Sequence, residues 1–133
     1  MKYINSFIKE SSNQSDIEYM LDEIKDTFQE IIDEYSLYPD EEDYIDGEYY
    51  SIEHRYRRDD GLHVFFLFIK YKNCAYIGDI SKNKPSDSFF KAVESTKDNV
   101  LPVLRNIGYD VGILNDPTES NIRSNFWVIL KMA

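Results

Sequence analysis

Ile17, Met20, Leu21, Ile24, Phe28, Ile31, Ile32 and Tyr35 recur at intervals of three, four and seven. That spacing places one apolar stripe along a helix. Ser15, with Glu18 three residues on, predicts a capping box at its start. Pro39 predicts its end, and Asp40 to Asp46 read as an acidic loop. From Glu48 to Arg58 the period changes to two. Tyr50, Ile52, His54 and Tyr56 alternate with Ser51, Glu53, Arg55 and Arg57, as in a strand with one buried face. Asp59-Asp60-Gly61 predicts a hairpin turn, because glycine and aspartate tolerate the positive φ of tight turns. Leu62 to Tyr71 is apolar on both faces and belongs at the centre of a sheet. Lys72-Asn73 then turns into an expected strand from Cys74 to Ile80.

After a polar loop containing Pro85, Ser86 or Asp87 is positioned to cap a helix carrying Phe89, Phe90, Val93, Val100, Leu101 and Leu104. Pro102 lacks an N–H and clashes with the preceding turn of a regular helix. It therefore predicts a kink, or a second short helix capped by Asp98 or Asn99. Gly108 predicts the C-terminal cap. Strands at 109–114 and 122–131, joined by an Asp116-Pro117 turn, complete the pattern. The fold class is α+β, in the order α-β-β-β-α-β-β. It comprises a mostly antiparallel five-stranded sheet with two helices packed against it. The doubly apolar central strand needs cover on both faces, from a helix on each side or from a subunit contact. Residues 1–14 read as an N-terminal segment with a polar linker, and 15–133 as a single domain.

Charge changes this picture by its position. Residues 1–47 hold fourteen Asp and Glu against three Lys, whereas 48–133 are nearly balanced, within a net charge of −10. The outward face of the first helix carries Asp22, Glu23, Asp26, Glu30, Asp33 and Glu34, and the loop adds Asp40, Glu42, Asp43 and Asp46. Such a field favours a protein partner with a basic surface and argues against direct binding of nucleic acid. A counter-signal lies in Arg55, Arg57, Arg58, Lys70 and Lys72 with Tyr49 and Tyr71 interleaved, a pattern compatible with stacking on single strands. Two other expectations stand beside the protein-partner reading: a structural or assembly component that forms homo-oligomers through the apolar central strand, and a small-ligand or nucleotide-binding domain using the Tyr-rich, basic sheet face.

Candidate chemistry is sparse. Gly47 and Glu53 fit the sixth and twelfth positions of a calcium loop, but Tyr44 would occupy a ligand position, so no metal site is expected. If Asp60-Gly61 forms the turn, His54 and His63 lie about four residues apart along the ladder, roughly 13 Å at ~3.3 Å per residue, too far to share a metal. No serine or cysteine nucleophile falls beside either histidine. The one cysteine, Cys74, has no basic or glycine-rich neighbourhood and reads as an inert thiol. The five glycines make neither a phosphate loop nor a dinucleotide fingerprint, so no cofactor is expected and the chain does not read as an enzyme. No apolar run reaches the ~18 residues of a membrane span, and the N-terminus lacks the apolar core of a secretory signal.

Met1-Lys2 and the later Phe7-Ile8-Lys9-Glu10 together resemble the capsid-targeting peptide of internal head proteins in T-even-type tailed phages. Those peptides begin Met-Lys and end Phe-Ile, any residue, Glu, where a prohead protease cuts. The resemblance implies a cut after Glu10, just before the polar linker. It also implies a small accessory protein packaged in the virion or acting in the host cytoplasm, with antagonism of host defences among the roles of such proteins.

Overall fold

A computed structural model describes residues 14–41, 46–73 and 84–132. Helix α1 runs from Gln14 to Tyr35. It already includes Gln14, so Ser15 lies inside its first turn and is not the residue before it. Ile17, Met20, Ile24, Phe28 and Ile31 are buried along one seam, as the spacing requires. Each such side chain contributes about 1.5–3 kcal/mol of burial. Ser36, not Pro39, ends the helix. Its φ of 52° is left-handed, and the Leu37 N–H reaches back to the Ile32 carbonyl at 3.0 Å. Leu37 itself is buried, which completes a Schellman-type cap.

The sheet has five strands, β1 (Tyr38–Pro39), β2 (Gly47–Arg57), β3 (Leu62–Lys72), β4 (Tyr109–Asn115) and β5 (Asn125–Met132). Their spatial order is β1-β2-β3-β5-β4. Only β1, a two-residue strand, runs parallel to its neighbour. The expected element order therefore holds, with the extra strand supplied by Tyr38-Pro39. The strand expected at Cys74–Ile80 lies outside the described residues, as do Cys74 and the N-terminal segment. The last strand begins at Asn125, three residues later than expected, and leaves Ile122 exposed.

The hairpin turn differs in a way that matters. Arg57 pairs with Leu62, so the loop is the four residues 58–61 and not a two-residue turn at Asp60-Gly61. Gly61 takes a φ of 69° at the last loop position, the left-handed residue that longer hairpin loops need. The register then places His54 opposite Phe65, and Tyr56 opposite His63.

Helix α2 (Asp87–Ser95) passes through a π-turn (Thr96–Val100) into α3 (Leu101–Ile107). Ser86 caps α2 as expected, its Oγ accepting the Phe89 N–H at 3.1 Å. The segment is split just before Pro102, as expected, but by the π-turn, and the short helix that follows is capped by Val100 and not by Asp98 or Asn99. The wider turn before Pro102 bonds the Leu101 N–H to the Thr96 carbonyl, absorbing the missing donor. Gly108, with φ 130°, closes α3 by bonding the Leu104 and Arg105 carbonyls.

Phe65, Leu67 and Ile69 of β3, with Phe126, Val128 and Leu130 of β5, join the α1, α2 and α3 side chains in one core. All described helices lie on that side of the sheet. The other side of the sheet carries Val64, Phe66, Phe68, Trp127 and Ile129. Trp127 stacks on Phe68, with ring centroids 5.4 Å apart.

Candidate protein-binding surface

Because α1 buries one seam, the opposite side faces solvent. Asp22, Asp26, Glu30, Asp33 and Glu34 are all exposed there. At about 1.5 Å per residue the row is roughly 18 Å long. Glu23 leaves this row. It sits three residues from Met20 and beside Ile24, which turns it toward the sheet, where the Tyr109 hydroxyl donates to its carboxylate at 2.9 Å. Burial, with Glu23 beside it, pushes the Tyr109 phenol well above its ordinary range.

The described cations do not pair with this row. Arg55 pairs with Glu53 at 2.7 Å, and Arg57 with Asp60. Lys97 holds Glu94 and Asp116 at 3.0 and 2.9 Å. Lys70 and Lys72 bracket Asp40 at 2.9 and 2.7 Å. Among the described residues, none of the five exposed carboxylates of α1 makes an ion pair. Lys25 is the only basic residue of the helix.

Asp40 is therefore an internal partner and not part of a solvated acidic surface. Burial by itself would raise its carboxyl, but hydrogen bonds from Lys72 and Lys70 outweigh that and hold it below the usual range. Asp46 is exposed at the start of β2, and Glu42 and Asp43 lie outside the described residues.

The basic and aromatic residues do not assemble into a stacking platform. Tyr49 is fully buried, between the Tyr38 ring at 5.4 Å and the Lys72 ammonium at 4.3 Å. Tyr71 points to the helix side, against Phe89 at 6.3 Å. Lys70 and Lys72 are held by Asp40, and Arg58 stands exposed in the hairpin loop. The register puts Tyr49, Arg55, Arg57, Lys70 and Lys72 on the face away from the described helices and turns only Tyr71 to the other, so it is ion pairing and the burial of Tyr49 that take these groups out of a platform.

A cleft of about 560 Å³ runs between α1 and the outer edge of β2. Leu21, Asp22 and Lys25 form one wall, Ser51, Ile52 and Glu53 the other, and Pro39 to Glu41 close one end. Comparison with protein-family models, with curated proteins and with solved structures found no match. The surface itself must therefore carry any reading of function.

Near the hairpin end, His54 and His63 are brought together. His54 Nε2 and His63 Nδ1 are 2.7 Å apart, and the rings are stacked with centroids at 4.9 Å. The separation expected from the shorter turn is thus corrected, because the longer loop makes the two residues diagonal neighbours. His63 is buried, with Tyr56 at 5.0 Å from its ring and Phe65 at 5.4 Å from that of His54. Burial lowers both imidazole pKa values, and for His54 the neighbouring His63 and Arg55 lower it further. Among the described residues neither ring bonds a carboxylate, and no three His, Cys, Asp or Glu side chains are grouped for a metal. Glycine at the end of the loop, and not at its centre, was the signal for this register.

Proposed function

We propose that this protein acts by binding another protein through the acidic side of α1. The observation that carries the reading is the row Asp22, Asp26, Glu30, Asp33 and Glu34, exposed and in no ion pair among the described residues, while Arg55, Arg57, Lys70 and Lys72 of the sheet are engaged elsewhere. A row of fixed negative charge steers a basic partner toward itself and leaves its affinity strongly dependent on salt. The partner is a protein with a basic surface, of the kind that otherwise accepts nucleic acid. No helix among the described residues is long and apolar enough to cross a membrane.

Residues 1–10 extend this reading to an accessory protein carried in a phage head and acting on the host. Their support is the resemblance of Met1, Lys2, Phe7, Ile8 and Glu10 to a capsid-targeting peptide. Mass spectrometry of purified particles checks it, the expected chain starting at Ser11.

The binding test is capture from lysate of the cells in which the gene is expressed, at low and high salt. Wild-type chain and the variant Asp26→Lys/Glu30→Lys/Asp33→Lys are compared. A basic protein retained by the wild type at low salt, and lost with either change, is the expected result. Equal retention by both chains overturns the reading. A second reading, self-assembly through the sheet, draws on Phe66, Phe68, Trp127 and Ile129, which are only half-buried on the side without described helices. A light-scattering mass of one subunit at high concentration removes it.

A further inference from the structure

Among the described residues, strand β2 is an edge for most of its length. Strand β1 pairs only with Tyr49 and Tyr50. The Tyr50 carbonyl accepts the Asp40 N–H at 3.0 Å, which fixes the phase of the ladder. Alternation then turns the N–H and C=O groups of Ile52, His54 and Tyr56 away from β3, to a side where no described strand pairs with them. The His54 carbonyl is filled by the strand's own Arg55 side chain at 3.0 Å. The remaining outward groups of these three residues have no hydrogen-bond partner among the described residues. A row of this kind is a template for another strand.

The cleft lies along the same edge. Leu21, Pro39 and Ile52 give it apolar walls. Asp40 and Glu53 of its lining are paired internally, which leaves Asp22 and Glu41 against Lys25. The exposed row of α1 starts at Asp22 and carries the negative field onward. An extended segment entering here therefore meets backbone partners on one side and net negative charge on the other. A second copy docked at this edge would bring two acidic helices together, so charge selects a basic occupant.

We propose that the open edge of β2 takes an extended basic segment of the partner protein as an added strand. The segment pairs with the outward groups of Ile52, His54 and Tyr56 and seats one apolar side chain in the cleft. This rests on the acidic-surface reading and names what that surface receives.

The test selects peptides from a random library on the full chain at low salt, then follows amide hydrogen exchange as a selected peptide is added. Enriched peptides with alternating apolar and basic residues are expected. Protection of the Ile52, His54 and Tyr56 amides should rise by about tenfold or more as each outward N–H gains a backbone partner. Tyr56→Pro removes one outward donor without taking a bond from the β2–β3 ladder, and should weaken the peptide by a similar factor. Peptides that bind without protecting these amides, yet are lost on charge reversal of α1, overturn strand addition and leave the acidic-surface reading standing. Enrichment of acidic peptides, or of none, overturns the strand proposal. Protection that appears without peptide, together with a doubled mass, makes a second copy the occupant and likewise overturns it.

Discussion

Lowering the pH from about 7.5 to about 5.0 is expected to destabilise this protein through the His54–His63 pair, in a window where ordinary carboxylates stay ionised. The facing nitrogens, 2.7 Å apart, accommodate one proton between them. With both rings protonated, two N–H groups meet head to head and two unit charges stand at a centroid separation of 4.9 Å. At an effective dielectric of about 20 that repulsion is roughly 3 kcal/mol, and about 1 kcal/mol at the aqueous limit. His54 is half-exposed, so the expected cost lies between these bounds. The sign follows from the lowered pKa of both rings in the folded state. Stability from the neutral pair is full above the ordinary histidine value of about 6.5 and is lost as pH falls through the lowered folded values. Urea unfolding followed by fluorescence of the single tryptophan, Trp127, measures the loss. His54→Gln/His63→Gln should flatten the profile across the window. An unchanged slope in that double variant, or two imidazoles titrating independently near 6.5 by NMR, would refute the coupling.

Two further outcomes test the backbone and the buried charge. Ser36→Gly, at the left-handed end of α1, should raise stability by about 0.5–1 kcal/mol, because glycine adopts that conformation without strain. Thermal unfolding reads it as a higher Tm, and a lower one would show that the serine side chain matters more than its φ. Asp40→Asn leaves the Lys70 and Lys72 ammonium groups facing each other without a counter-charge and should cost about 1–2 kcal/mol near neutral pH. The wild-type advantage is present above the ordinary aspartate value of about 3.9 and vanishes as pH falls through the lowered folded value. A constant difference down to that range would show that the pair is not ionic.

Periodicity made some of this legible and left the rest hidden for identifiable reasons. The buried seam of α1 and the alternation of β2 follow from spacing alone, since each is a local geometric requirement. The cap at Ser86 was local too. Strand β1 is not legible, because Tyr38-Pro39 has no period; it is held by the Tyr38–Tyr49 ring contact and a short parallel ladder to β2. Asp40 looked like part of a solvated run, and its partners lie thirty and thirty-two residues away. Glu23 belongs to the acidic set by composition but is drawn out of it by Tyr109, eighty-six residues on. The histidine pair was missed for a subtler reason. Asp60-Gly61 does mark the turn, but two further loop residues shift the register by two and halve the separation that a two-residue turn gives.

The strand order carries a consequence for biosynthesis. Strand β5 is the last of the five to be made, yet it lies between β3 and β4. The β2–β3 hairpin closes over a short loop and can form while the rest of the chain is still being translated. Strand β4, by contrast, has no sheet neighbour until β5 arrives. Until residues 125–132 leave the ribosome, the apolar strand β3 has one side of its backbone unsatisfied. The nascent chain thus passes through a stage with a sticky strand that only β5 seals, and a ribosome that stalls before Asn125 leaves two unjoined pieces where a sheet should be.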